Sequence, residues 1–306
     1  MVKVAIIIVN WNQPKLTLDT INSISKITHP NFNYHIFLID NGSTDNSIEE
    51  FTTKLKNDKN ISIYHTGSNL GYVGGNNYGL KIALDNKYDY FLCANNDIIV
   101  KPNFLTILVN ELINHSDIGV VGPKIYFAPG HEYHHSRYKK DELGKVIWSV
   151  GGIIDWNNIY GSNRGIDEVD IGQYEQSYEN LDFISGCCFL TTKDVLKKVG
   201  LFDNKLFMYF EDVDFCQKVK RLGLKLKYIP KSIIWHINSG SSSAASSLQE
   251  YFITRNRLLF GFRYAGLRTK FALSRQMLHQ LFSSPKWEKQ AIIDFLTHKW
   301  GKGSWT

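Results

Sequence analysis

Two groups of acidic residues, far apart in the chain, carry most of the chemistry that its sequence offers. Asn95-Asn96-Asp97 closes an apolar run, and Glu211-Asp212-Val213-Asp214 stands inside the aromatic stretch 207–215. A carboxylate at the end of a strand is suited to holding a divalent cation through oxygen. Carboxylates set among aromatic rings lose part of their hydration, which raises their pKa and suits them to accepting a proton. Metal plus base suggests transfer of a group from a phosphorylated donor to a hydroxyl.

These residues need a scaffold. Val4-Ala5-Ile6-Ile7-Ile8-Val9 is a continuous apolar run, followed by Leu16, Leu18, Ile21, Ile24 and Ile27 at helical spacing. Residues 35–40, 61–65 and 88–94 read as further strands. The turn Asn41-Gly42-Ser43-Thr44-Asp45 and a helix through Ile48, Phe51 and Leu55 separate the second strand from the third. A glycine-rich turn is expected over 67–79, with a helix only from about residue 78 to 84. Apolar strands alternating with helices predict an α/β fold with a mostly parallel sheet covered on both faces. Ligands of such sheets bind beyond the carboxyl ends of the strands. Trp11, Asp40, residues 69–77 and residues 95–97 all fall just past strand ends, which predicts a nucleotide cleft there.

Composition sets wide bounds. A chain of 306 residues with 43% hydrophobic and 21% charged residues suits a globular enzyme of one or two domains. No apolar stretch approaches the roughly 20 residues that span a bilayer, and the first residues read as a buried strand rather than a signal peptide. The four cysteines, Cys187-Cys188 among them, lack metal spacing and read as reduced thiols, which points to the cytoplasm. A net charge of +6 gives no reason to expect a nucleic-acid partner.

Residues 123–181 break the αβ rhythm and place Trp148, Trp156, Tyr160, Tyr174 and Tyr178 among glycines and acids. Such a segment suits sugar recognition, or a small loop-rich core of its own. Residues 239–247 are Ser-, Gly- and Ala-rich and read as a lid or a passive linker. Beyond residue 255, large apolar side chains alternate with Arg263, Arg268, Lys270, Arg275 and Lys286. This basic amphipathic tail suits the inner face of an anionic membrane, and equally the catalytic domain or a second subunit. The oligomeric state is open. The division expected is 1–122 for the nucleotide-sugar half, 123–250 for the acceptor-binding and catalytic half, and 251–306 for the helical tail.

Taken in order, Val9-Asn10-Trp11-Asn12, residues 40–45, residues 69–77, Asn95-Asn96-Asp97, Ser185-Gly186, Glu211-Asp212-Val213-Asp214 and Thr254-Arg255-Asn256-Arg257 resemble the inverting family 2 glycosyltransferases of the GT-A fold. The rhamnosyltransferase-like branch is the nearest in pattern. The resemblance implies inverting transfer of a sugar from a nucleotide-diphospho-sugar, dTDP-rhamnose or a UDP-hexose, to a glycan or lipid-linked glycan acceptor in cell-surface polysaccharide synthesis. The alternative is a non-catalytic carbohydrate- or nucleotide-binding module on the same fold.

The resemblance assigns Val9, Asn10, Trp11, Asn12, Asp40, Gly74, Asn76 and Asn96 to the nucleotide, with Trp11 stacked on the base. Asn95 replaces the first carboxylate of the family's Asp-x-Asp element, which leaves Asp97 as its acidic ligand, with His236 completing a site for Mn²⁺ or Mg²⁺. Asp212 is the expected base, with Glu211 and Asp214 as rivals. Ser185, Gly186, Glu211 and Trp156 are assigned to the donor and acceptor sugars. Arg255 and Arg257 are assigned to the leaving diphosphate.

Overall fold

The computed structural model describes residues 1–238 and 246–305. The expected lid over 239–247 therefore lies, but for its last two residues, outside the described residues. The elements in chain order are β1 (Val2–Asn10), α1 (Pro14–Ile24), β2 (Phe32–Asp40), α2 (Ser47–Lys54), β3 (Ile61–His65), α3 (Gly71–Asp85), β4 (Tyr90–Ala94), β5 (Ile98–Val100), α4 (Phe104–Asn114), β6 (Ile118–Phe127), β7 (Ile147–Ser149), β8 (Gly152–Asp155), β9 (Tyr160–Asn163), β10 (Cys188–Thr192), α5 (Lys193–Val199), α6 (Glu211–Arg221), β11 (Lys225–His236), α7 (Ser247–Tyr264), α8 (Leu267–Ser283) and α9 (Lys286–Leu296).

Nine strands form one sheet in the order β3-β2-β1-β4-β10-β6-β11-β5, with β7 paired to β6, while β8 and β9 form a separate hairpin. Strands β3, β2, β1 and β4 run parallel; β10 is antiparallel to its neighbours, and β11 is parallel to β6. The fold is thus α/β with a mostly parallel sheet. Period-two alternation buries both faces of β1. Val4, Ile6 and Ile8 join one core with Ile21, Ile24 and Phe104, and Ala5 and Ile7 join the other with Leu80, Val219 and Phe260.

The glycine-rich segment is not the long turn expected. Helix α3 begins at Gly71, and Gly74, Gly75 and Gly79 lie inside it. A Cβ at Gly75 would approach Val9 Cγ1 to 2.7 Å, and one at Gly79 would approach Ile7 Cγ2 to 2.7 Å. These glycines let the helix axis come close to β1, a packing need that outweighs their low helix propensity.

The middle segment uses its rings internally. The Arg164 guanidinium lies over Tyr174 and Tyr178, at 4.6 and 4.3 Å from the ring centroids. The tail divides. Tyr251, Phe252, Leu258 and Phe260 of α7 are buried, so the catalytic domain takes this part. In α8, Leu273 and Met277 are buried, whereas Leu267, Phe271, Leu278 and Phe282 stay exposed.

Candidate active site

A cleft of about 380 Å³ opens at the carboxyl ends of β1 and β4. Its lining includes Val9, Trp11, Asn41, Asn69, Tyr72, Asn95, Asn96, Asp97, Phe207, Met208, Lys302 and Trp305. Two other surface depressions, one beside Val2 and Asp89 and one between α1 and α2, lack this set of groups. The cleft therefore lies on the predicted rim. It gathers four of the residues expected there: Val9, Trp11, Asn96 and Asp97. Trp11 leaves a ring 42% exposed, available to a flat partner.

Other expected nucleotide contacts are turned inward. Asn10 is fully buried; its amide donates to Asp40 Oδ1 and Ser43 Oγ, and its Oδ1 accepts from Thr17 Oγ1 at 2.7 Å. Asp40 is likewise buried and accepts from the Ser43 N–H, holding the turn after β2. Asn12, at φ 55°, accepts from the Thr44 N–H. Asn76 is buried within α3 and donates to Tyr72 O, and Gly74 packs against Leu70. Asn10, Asp40, Gly74 and Asn76, expected at the nucleotide, do not line this cleft. They brace the loops that carry the cleft residues, because a strand end needs its own polar groups satisfied before it can present others.

Asp97 and His236 come together from strands that are distant in sequence. His236 ends β11, whose antiparallel pairing with β5 sets it opposite Ile98. Its Nε2 lies 3.1 Å from Asp97 Oδ1, and Trp148 packs edge-on against the imidazole at 4.7 Å. His236 Nδ1 is buried with no hydrogen-bond partner among the described residues. A carboxylate oxygen and an imidazole nitrogen side by side in a cleft wall fit a divalent cation. Among the described residues no group of three or more His, Cys, Asp or Glu is placed to hold an ion.

A short relay joins the cleft to the second acidic station. The Tyr72 hydroxyl donates to Gly186 O at 2.6 Å, and the Gly186 N–H donates to Asp212 Oδ2 at 2.8 Å. The Asn95 N–H donates to Cys187 O at 2.8 Å, so the 185–187 turn touches both stations. Ser185 itself is buried and caps the Cys187 N–H. Burial pushes the Cys187 thiol up, and Asp97 and Asp212 add to the effect, so this sulfur stays protonated.

The three acids of the second station differ. Burial raises the Glu211 carboxyl far above the ordinary range, the Asp212 charge raises it further, and its Oε2 has no hydrogen-bond partner among the described residues. Burial also raises Asp212, but the Gly186 and Val213 N–H groups favour its charged form. Asp214 is held by Arg263, Lys218 and Tyr264. Burial without a compensating donor thus favours the protonated form of Glu211, ion pairs hold Asp214, and Asp212 is half-buried with two backbone donors.

Arg255 and Arg257 do not reach the cleft, contrary to expectation. Arg255 is fully buried and donates to the carbonyls of Lys205, Leu206 and Lys299. Arg257 donates to Asn158 O and Gln276 Oε1 beneath the Tyr160 ring. Asn256, which carried no sequence-based role, donates to Leu206 O, Met208 O and Tyr209 O at 2.8 to 2.9 Å. It clamps a loop in which Phe207, Tyr209 and Phe210 all adopt positive φ. Trp156 stacks on Phe260, whose ring also meets Phe210 beside Glu211. Tyr72, in the glycine-rich motif, and Asn256, in the Arg-Asn-Arg run, had visible sequence contexts. Lys302 and Trp305 had none.

The family profile described as Glycosyl transferase family 2 matches residues 5–200, a span that ends before Asp212 and His236. The N-acetylglucosaminyl-diphospho-decaprenol L-rhamnosyltransferase of Mycobacterium tuberculosis is 26% identical over 219 residues, covering 68% of this chain and 67% of the relative. The low-salt glycan biosynthesis hexosyltransferase Agl10 of Haloferax volcanii is 22% identical over 259 residues, covering 83% and 74%. The crystal structure of GalNAc-T7 with UDP, GalNAc and Mn²⁺ superposes with a TM-score of 0.63 at 16% identity, over 97% of this chain and 58% of that one. This last likeness is one of fold, the GT-A arrangement, and the chain spans little more than half of that protein.

The clamp generates a prediction. Asn256→Leu keeps the volume but removes the donor from the carbonyls of Met208 and Tyr209, while Leu206 O keeps Arg255, so it should lower unfolding free energy by about 2 kcal/mol in urea titrations. Asn256→Asp should fail similarly, having no donor. An unchanged midpoint in both variants would show that the loop holds itself.

Proposed function

Since the chain belongs to glycosyl transferase family 2, we propose that it transfers a sugar, with inversion, from a nucleotide-diphospho-sugar to a hydroxyl of a glycan or lipid-linked glycan. It is a glycosyltransferase enzyme, which sets aside the non-catalytic binding module. Transfer of a rhamnosyl or hexosyl group agrees with the relatives' names, and we take dTDP-rhamnose or a UDP-hexose as the donor and cell-surface polysaccharide synthesis as the role. The observation that carries the reading is the relay from Tyr72 in the cleft through Gly186 to Asp212. It sets a half-buried carboxylate beside a cleft that holds Trp11 and Asp97.

In this reading Trp11 stacks on the base, and Val9 and Asn96 line its pocket. Asp212 takes the proton of the acceptor hydroxyl as that oxygen bonds to the anomeric carbon. The bond from the anomeric carbon to the phosphate oxygen breaks, and its electron pair leaves with the nucleoside diphosphate. The base must face the side opposite the leaving group, which accounts for two separated acidic stations. Asp97 and His236 would hold Mn²⁺ or Mg²⁺, which when bound neutralises charge on the diphosphate as a Lewis acid. Protonated Glu211 is free to donate to a sugar hydroxyl, and Trp156 lies on the acceptor side of Phe260. Residues 1–122 then serve the donor and 123–250 the acceptor and catalysis.

A specific observation also favours the membrane surface. No described helix is long and apolar enough to cross a membrane. Leu267, Phe271, Leu278 and Phe282 nevertheless recur at spacings of four, seven and four on one exposed face of α8, beside Arg268 and Arg275. Such a face suits anionic lipid on the cytoplasmic side, where a lipid-linked acceptor would be met.

Three tests follow. With a panel of dTDP-, UDP- and GDP-sugars, Asp212→Asn should lower kcat by roughly 10²–10⁴. In the parent enzyme, kcat should fall as pH drops through the raised pKa of Asp212, above the 3.8 of an ordinary aspartate. A crippled Glu211→Gln with a mild Asp212→Asn would move the base by one residue. Second, chelation should abolish transfer and Asp97→Ala should weaken donor binding; full activity in EDTA would refute the metal pair. Third, anionic vesicles should bind the protein at low salt and release it as salt rises. The double variant Phe271→Ser/Phe282→Ser should lose that binding with its unfolding midpoint unchanged, and equal binding by the variant would remove α8 from the membrane.

A further inference from the structure

With Arg255 and Arg257 enclosed, the donor cleft needs a cation from elsewhere. Among the described residues lining it, Lys302 is the one positively charged group. Residues 239–245, Ser-Gly-Ser-Ser-Ser-Ala-Ala, contain no charged residue that could serve instead. Lys302 is exposed, and it sits in a turn after α9 that also brings Trp305 to the cleft.

That turn is held by buried polar groups rather than by apolar packing alone. The Ser304 N–H donates to Asp294 Oδ2 at 2.7 Å, and Ser304 Oγ donates to Asp294 Oδ1 at 2.9 Å. Tyr251 closes the set through its own bond to Asp294, and Gln290 donates to Asp294 Oδ1 at 2.8 Å. The Gly301 N–H donates to Lys205 O, and Arg255 holds Lys299 O. Gly303, at φ 62°, passes so near Tyr251, Arg255 and Asp294 that a Cβ would collide with them. Trp305 packs against Trp287 in a tilted arrangement with centroids 4.5 Å apart. Buried hydrogen-bonded networks of this kind specify one arrangement and are costly when half made. The arrangement they specify sets an ammonium at the rim of the cleft, across from no other cation.

We propose that Lys302, delivered by the Asp294-anchored turn, is the diphosphate-binding cation of this enzyme, and that the turn closes the donor cleft. The inference rests on the donor reading above. An ammonium is a compact point charge that can follow a phosphate as the bond to the sugar breaks, and it strengthens binding of the nucleoside diphosphate most. Arg255 then has an explanation: it belongs to the anchor of the cation and not to the phosphate.

The test measures UDP, dTDP and GDP binding by calorimetry with Mn²⁺ present, and binding of the parent nucleosides by ligand-observed NMR. Lys302→Ala should weaken the bound diphosphate about tenfold or more, as expected for losing one charge-assisted contact. Nucleoside binding should not change, and Lys302→Arg should restore most of the loss. Gly303→Ala, which displaces the turn while keeping the lysine, should reproduce the loss. If the parent enzyme binds a diphosphate and Lys302→Ala binds it equally well, the inference falls and the proposed function stands. If Lys302→Ala weakens nucleoside and diphosphate alike, the lysine shapes the cleft and the inference also falls. If the parent enzyme binds none of the three diphosphates, the donor reading itself falls and takes this inference with it.

Discussion

One buried side-chain pair, Arg255 and Asn256 in the middle of α7, holds the architecture of the site. Together they donate to the carbonyls of Lys205, Leu206, Met208, Tyr209 and Lys299. The loop they grip is strained, since Phe207, Tyr209 and Phe210 each hold a left-handed φ at a cost of roughly 1–2 kcal/mol per residue. The hydrogen bonds that Asn256 makes to the carbonyls of Met208 and Tyr209 help to offset that strain. Phe207 O accepts from the Val73 N–H in the first turn of α3, and Phe210 leads directly into Glu211. The same clamp therefore fixes the donor side of the cleft, through α3, and the direction in which α6 presents Asp212.

Much of this was legible in the residues because the signals were local. The continuous apolar run in residues 4–9 reports a strand buried on both faces, and the strand ends at Trp11 and Asp97 mark the rim of the cleft. The pairing of Asp97 with His236 was legible only through family resemblance, since nothing local joins β5 to the end of β11. What failed to be legible was direction. Asn10, Asp40 and Asn76 are polar residues in the expected places, but their side chains face inward to satisfy the loops. An arginine near a phosphate and an arginine under a loop read alike in sequence, and the carbonyls that claim Arg255 lie about fifty residues away. Glycines 75 and 79 looked like a loop because glycine favours loops; the short distance from α3 to β1, which no local pattern encodes, is what they serve.

The electrostatics of the second station follow from unequal satisfaction of similar groups. Glu211, Asp212 and Asp214 all occupy the first turn of α6, where the helix dipole favours negative charge. Asp214 adds a guanidinium, an ammonium and a hydroxyl, so its charge is matched and unavailable. Glu211 has burial without partners and keeps its proton. Asp212 has two backbone N–H donors and partial solvent access, enough to hold a charge and too little to quench it. The proposed base role of Asp212 draws on this middle state, between the ion-paired Asp214 and the buried Glu211.

The site is thus assembled from segments that are remote in sequence and rigid before any ligand arrives. Trp11 and Asp97 rest on strand ends, Asp212 on a helix start, and Lys302 on a turn locked to Asp294. Each is backed by a buried polar network whose ordering cost is met during folding, so less remains to be met on binding. The 185–187 turn ties these supports together, since its Gly186 N–H holds Asp212 and its Cys187 carbonyl accepts from Asn95. A displacement at either acidic station is therefore transmitted to the other through two hydrogen bonds. The proposed inverting transfer would use that coupling, because the incoming oxygen and the departing phosphate must lie on one line through the anomeric carbon.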